Sequence, residues 1–142
     1  MERHTRQRQA IYEAIATSSR PLLPQEILDA AITAVPRMSI ATVYRTIKAL
    51  LDERRICSVF LPAQNPRYEL AKPGHHHHFQ CRHCDRVFDI EGCPGNLLAL
   101  APRGFVLEDH ELILYGCCSD CALRQTTVSS RARLRRSAPK VG

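Results

Sequence analysis

The residues with chemistry to offer crowd into the second half of the chain. Four consecutive histidines, His75, His76, His77 and His78, precede Cys81-Arg-His-Cys84, and Cys118-Ser-Asp-Cys121 comes much later. Each Cys-x-x-Cys pair holds two thiolates on one turn, and two such turns complete a tetrahedral zinc site at Cys81, Cys84, Cys118 and Cys121. Thiols for redox exchange, or unconnected buried cysteines, would use the same residues. The 33 residues between the pairs exceed an ordinary zinc-ribbon gap. They must therefore carry elements of their own: a strand over 87–90, a short helix over 95–100 and a strand over 105–115 ending at Gly116. Cys57, Cys93 and Cys117 stand outside the pairs and read as small buried hydrophobes. His83, inside the first knuckle, reads as a surface residue.

The same inventory argues against catalysis. Metal-dependent hydrolysis needs an open coordination position and a placed general base. No His-Glu-x-x-His pattern is present, and a four-cysteine set is closed. The chain therefore does not read as an enzyme. A zinc-ribbon interaction module is the rival from another class; it would hold one metal and show no metal-switched binding. Seven cysteines without an export signal, and no apolar run near the ~18 residues of a membrane span, point to a reducing, cytoplasmic setting away from membranes.

The elements that position these groups begin with three helical periodicities. Ile11, Tyr12 and Ile15 share a face of a helix over about 6–17, and Ile27, Leu28, Ala31 and Val35 a face of a second that starts near Pro24 and stops near Pro36. Leu23 has no side-chain acceptor to cap it. Ser39 is a good cap for a third, whose Ile40, Val43, Ile47, Leu50 and Leu51 face inward. The opposite face carries Thr42, Arg45, Thr46 and Ala49, bordered by Tyr44 and Lys48. Arg can bond a guanine edge bidentately, Thr can meet a thymine methyl, and Tyr can bind base or phosphate. Short apolar runs over 56–61 and 67–70 follow, split by a Pro-Ala-Gln-Asn-Pro turn. Three helices and a hairpin make a winged helix-turn-helix, whose bland alternative is a structural three-helix bundle. The chain thus reads as α+β.

Charge supports a division of labour. Residues 1–72 hold 11 Lys and Arg against 7 Asp and Glu, residues 73–121 hold 3 against 7, and residues 122–142 hold 6 basic residues and no acid. The first part reads as anion-binding. The tail, with Arg131, Arg133, Arg135 and Arg136 among Ser, Thr and Pro, reads as disordered and attracted to phosphate.

Thr5-Arg-Gln-Arg8, Ala41-Thr-Val-Tyr-Arg45, Tyr68-Glu-Leu70, the histidine run leading into Cys81-x-x-Cys84, His110 and Gly116-x-Cys118-x-x-Cys121 together resemble the ferric uptake regulator family in order and spacing, over about residues 3–122. The resemblance implies a bacterial, metal-dependent, homodimeric repressor that binds a double-stranded operator. It implies a winged-helix DNA-binding domain over 1–72 and a small α/β dimerisation domain over 73–121, held by the four-cysteine zinc. DNA contacts fall on Thr42, Tyr44 and Arg45, with Arg3, Arg6 and Arg8 on phosphate. A regulatory divalent metal at the hinge falls on Glu69, His76, His78 and Asp89. In an extended stretch His76 and His78 point one way and His75 and His77 the other, so one run can serve two sites. The family's additional site falls on His75, His77 and His110, and its usual Glu lands on Asn96, with Glu91 as the substitute in another register.

Three departures bear on the metal. Pro21 stands where a histidine of the second helix often ligates, Ala71 where zinc-sensing members often bring a Cys, and Arg55 where a Gly commonly opens the wing. Two carboxylates and two imidazoles make a four-donor set, which suits tetrahedral zinc better than iron(II) or manganese. The expected regulator is therefore of the zinc-uptake type, with iron-responsive and peroxide-sensing regulators as alternatives.

Overall fold

The computed structural model describes residues 2–136, with side chains described up to residue 127. Helix α1 spans Glu2–Thr17, α2 Pro24–Ala31 and α3 Ile40–Asp52. The first starts earlier than its apolar pattern does, with Glu2 in the first turn opposing the helix dipole. At α2 Leu23 supplies no side-chain acceptor, and only the reciprocal half of a cap forms, the Glu26 carboxylate accepting the Leu23 N–H at 3.1 Å. That helix ends well before Pro36, in a turn where Arg37 takes φ 66°. At α3, Ser39 caps as expected, its hydroxyl accepting the Thr42 N–H at 3.2 Å. Ile11, Ile15, Ile27, Val43, Ile47 and Leu50 are buried together between the three helices. Each such side chain contributes about 1.5–3 kcal/mol of transfer free energy. Ile40 is a correction: at the first position of α3 it stays 37% exposed and lies outside the buried cluster.

The hairpin pairs β1 (Ile56–Val59) with β2 (Arg67–Leu70), placing Cys57 opposite Glu69. Leu22 and Tyr68 exchange backbone hydrogen bonds at 2.9 and 2.8 Å, so the segment before α2 borders the wing. Arg54 takes the left-handed conformation at the wing's entrance, φ 58°. Arg55 lays its guanidinium over the Tyr12 ring at 4.0 Å.

A second sheet has the order β4-β3-β5, from β3 (His77–Cys81), β4 (Val87–Ile90) and β5 (Ile113–Gly116). The β3–β4 pair is antiparallel and sets His78 opposite Asp89. The β3–β5 pair is parallel and ends on Cys81 opposite Gly116. A Cβ at residue 116 would lie 3.0 Å from the tip of the Phe79 ring, so a larger residue would require that ring to shift. The expected strand over 105–115 shrinks to its last residues, and the expected helix over 95–100 to a 3-10 turn at Leu97–Leu100. Pro102 and Gly104 break the pattern between them.

The wing leans on this sheet. Val59 and Leu61 pack with Val87 and Ile113, and the amides of Gln64 and Gln80 exchange hydrogen bonds at 2.7 and 2.8 Å. Arg67, 3% exposed, donates to the Asp85 carbonyl at 2.9 Å. These contacts hold β2 beside β3. Helix α4 (Ser119–Arg136) corrects the disordered tail. It starts at the second cysteine knuckle, and residues 122–136 contain no Gly or Pro to stop it. Composition suggested disorder, but an anchored first turn removes the nucleation cost that keeps such segments unfolded. The expectation for residues 137–142 lies outside the described residues, as do the side chains of Arg131, Arg133, Arg135 and Arg136.

Candidate metal centres and nucleic-acid face

Glu69, His76, His78 and Asp89 come together, each offering a ligand atom within 4.8 Å of the others. Glu69 arrives from β2, Asp89 from β4 as the cross-strand partner of His78, and His76 from just before β3. Strand alternation puts His76 and His78 on the same side, as the spacing requires. Nε2 of His76 lies 2.9 Å from Glu69 Oε1, and Nε2 of His78 lies 3.1 Å from Asp89 Oδ1 and 3.6 Å from Glu69 Oε1. Glu69 Oε2, His78 Nε2 and Asp89 Oδ1 are buried without an aligned hydrogen bond. Buried polar atoms converging in this way, two of them carboxylate oxygens, fit a cation. The other Asp89 oxygen accepts from Lys72 Nζ at 2.9 Å.

Electrostatics here favour a positive occupant. Burial disfavours the His78 imidazolium, yet the Asp89 and Glu69 carboxylates override it and push its pKa up to about 9. Burial likewise opposes the Asp89 carboxylate, but His78, Glu69 and Lys72 hold it well below the usual range. In metal-free protein a proton on His78 thus stands in for the metal. Below pH 6.5 that ion-pairing stabilises the fold in full, and it is lost as pH rises through 9. A metal must displace this proton. Between pH 7 and 8.5 its apparent affinity should therefore rise about tenfold per pH unit in a chelator competition. A flat profile would show that His78 is neutral in the metal-free cluster.

Cys81, Cys84, Cys118 and Cys121 converge equally closely, with Cys84 Sγ 3.8 Å from Cys118 Sγ. Burial raises the Cys81 pKa, but the Cys118, Cys84 and His83 amides aimed at its sulfur bring it down to about 6. The Cys118 sulfur and burial push Cys121 up to about 12. The three amides thus favour the thiolate form of Cys81, the form that a metal binds. His83 is exposed, as expected.

The third group is His75, His77 and His110, joined by Cys93. The Cys93 expectation is corrected: it is exposed rather than buried, its Sγ 3.1 Å from His110 Nε2. Glu91 does not belong to this group. The missed signal was Gly92 and Gly95 flanking Cys93, both at positive φ, which turn the chain after β4. Burial, then the His75 and His110 rings, hold the His77 pKa below its ordinary value. Cys57 is half-buried, its Sγ 4.0 Å from Glu69 Oε1, and burial with the Glu69 and Asp89 charges raises its thiol pKa. Cys117 is half-buried too.

On α3, Tyr44 is 54% exposed and Arg45 is exposed beside Thr42, whose hydroxyl accepts from its guanidinium at 3.2 Å. Arg3 and Arg6 line a cleft of about 490 Å³ with Arg37, a third cation not anticipated from sequence. Arg8 differs from expectation. Its guanidinium is ion-paired with Glu53, tying α1 to the end of α3.

Comparisons with known proteins identify the family. The ferric uptake regulator family profile matches residues 2–115. The ferric uptake regulation protein of Campylobacter jejuni is 30% identical over 84% of this chain and 79% of its own length. The transcriptional regulator FurA of Mycobacterium bovis is 31% identical over 89% of this chain and 88% of its own. A solved zinc-bound manganese uptake regulator superposes with a TM-score of 0.67 at 29% identity, covering 79% of this chain and 87% of that one. By these matches the chain belongs to the ferric uptake regulator family, and is a transcriptional regulator rather than an enzyme.

Proposed function

We propose that this chain is a metal-gated repressor, acting as a cytoplasmic homodimer on duplex operator DNA, and that the ion it senses is zinc. Residues 1–72 would form the DNA-binding domain and 73–121 the dimerisation domain. The observation that carries the reading is the Glu69–His76–His78–Asp89 cluster. Its donors come from the wing on one side and from the second sheet on the other, with three buried polar atoms left for a cation. An ion there would fix the wing against the sheet, and so the angle between the two DNA-binding domains of a dimer. Without it the domains sample many spacings and the operator-competent one is a minor population.

Zinc is favoured by the donor count. Pro21 is buried and brings no ligand from the start of α2, and four donors satisfy zinc where iron(II) and manganese usually want more. The four-cysteine cluster would hold a second, structural zinc. Tyr44, Thr42 and Arg45 would meet base edges and backbone, while Arg3 and Arg6 would meet phosphate; Arg8 would do so only by releasing Glu53.

The test is operator binding under free-metal buffering, with the operator selected from a random duplex library. Zinc should activate at far lower free concentration than iron(II) or manganese. Activation by either of those, but not by low zinc, would overturn the zinc reading. In the same assay Arg45→Ala should cost about 1–3 kcal/mol and blur sequence preference, whereas Arg6→Ala should weaken all duplexes alike. Unchanged selectivity in Arg45→Ala would displace α3 as the reading helix.

A further inference from the structure

We propose that Cys93 is the fourth donor of a third metal site, and that its thiolate makes the site selective for zinc. The proposal rests on the reading of His75, His77 and His110 as ligands and adds the donor that decides what they bind. Three imidazole rings meet around one point: centroids lie 4.8 Å apart for His75 and His77, 4.8 Å for His75 and His110, and 5.0 Å for His77 and His110. Cys93 Sγ touches this group 3.1 Å from His110 Nε2. Nε2 of His77, a residue only 2% exposed, is buried without a hydrogen-bond partner.

Each part of the fold contributes one piece. Alternation before and along β3 turns His75 and His77 away from His76 and His78. The turn through Gly92, φ 102°, and Gly95, φ 88°, brings Cys93 back over that side. His110 arrives just before β5. The set holds three nitrogens and one sulfur, with no carboxylate among them. One thiolate and three neutral imidazoles are the donors of a four-coordinate zinc site, and they suit the harder manganese poorly. Exposure separates this cluster from the four cysteines. His75 and Cys93 are both exposed, whereas Cys81 and Cys118 are buried. The third ion should therefore exchange with solution, and the thiol should be reachable by reagents when the ion is absent.

Loading has a local consequence that can be read directly. The Leu112 amide donates to Nδ1 of His77 at 3.1 Å. Ligation through Nδ1 uses that lone pair, and ligation through Nε2 leaves the ring proton on Nδ1. Either way the Leu112 N–H loses its acceptor, and its hydrogen exchange should speed up when zinc binds.

The experiment titrates cobalt(II) into the full chain with zinc retained in the four-cysteine cluster. Two further equivalents are expected, one of them carrying a sulfur-to-cobalt charge-transfer band in the near ultraviolet that Cys93→Ser abolishes. Cys93→Asp should restore the equivalent without the band, and Cys57→Ser should leave both in place. Zinc should slow alkylation of Cys93 by iodoacetamide by about tenfold or more, since only the free thiolate attacks. Retention of the charge-transfer band and both equivalents in Cys93→Ser, or alkylation blind to zinc, would overturn the cysteine assignment alone. Retention of both equivalents in a His75→Ala, His110→Ala double variant, or Leu112 exchange unmoved by loading, would overturn the histidine set beneath it.

Discussion

Cys118→Ser is expected to lose its zinc and, with it, the second half of the fold. Cys81 and Cys118 are 37 residues apart in sequence, yet the Cys118 amide donates to the Cys81 sulfur at 3.3 Å. Around this sheet the buried apolar cluster is small: Val59, Leu61 and Val87, with Ile113 against it. So few side chains cannot offset the entropy of ordering the long connection from β4 to β5. A structural zinc supplies folding free energy on the order of 10 kcal/mol. Removing one thiolate should therefore release the ion, unfold the β4-β3-β5 sheet and destroy any dimer built on it. The three-helix core of Ile11, Ile27, Val43 and their neighbours does not use the metal, so helical signal should largely survive. Metal analysis, sedimentation and circular dichroism read the three effects. A folded Cys118→Ser dimer with its full zinc content would refute the four-cysteine assignment.

The second large effect is expected at the hinge. A His76→Ala, His78→Ala double variant should bind operator at the metal-free level whatever the free zinc concentration. Losing even an outer-shell partner typically costs 10–100-fold in metal affinity, and two direct ligands should cost more than about 100-fold. Stability should fall by the lost ion pairs to Glu69 and Asp89, but the fold should persist, because both rings are only half-buried and neither belongs to the apolar clusters. His75→Ala with His77→Ala strips the third cluster instead, and so reads that cluster's own share of the switch. Those rings sit on the other side of the strand and touch His110 rather than Glu69 or Asp89. Metal-switched operator binding that survives the His76, His78 substitutions would place the sensing site elsewhere.

Local chemistry was legible in the residues where it decides structure by itself. The Ser39 cap and the apolar spacing of Val43, Ile47 and Leu50 specify α3 without reference to anything distant, because a helix closes its hydrogen bonds within a turn. Two Cys-x-x-Cys turns name the four thiols that converge in the fold. The alternation of His75 to His78 follows from the two-residue period of extended backbone. What depends on non-local approach was not legible. Cys93 lies nearly twenty residues from both His75 and His110 and meets them only because glycines reverse the chain after β4. Arg8 looked free for phosphate until α3 brought Glu53 to it. Ile40 fits the buried stripe by spacing, yet stays 37% exposed at the start of α3. Residues 122–136 have the composition of a loose tail and are helical because α4 is anchored at the second knuckle. In each case the deciding contact joins segments far apart in the chain, and only tertiary structure makes such contacts.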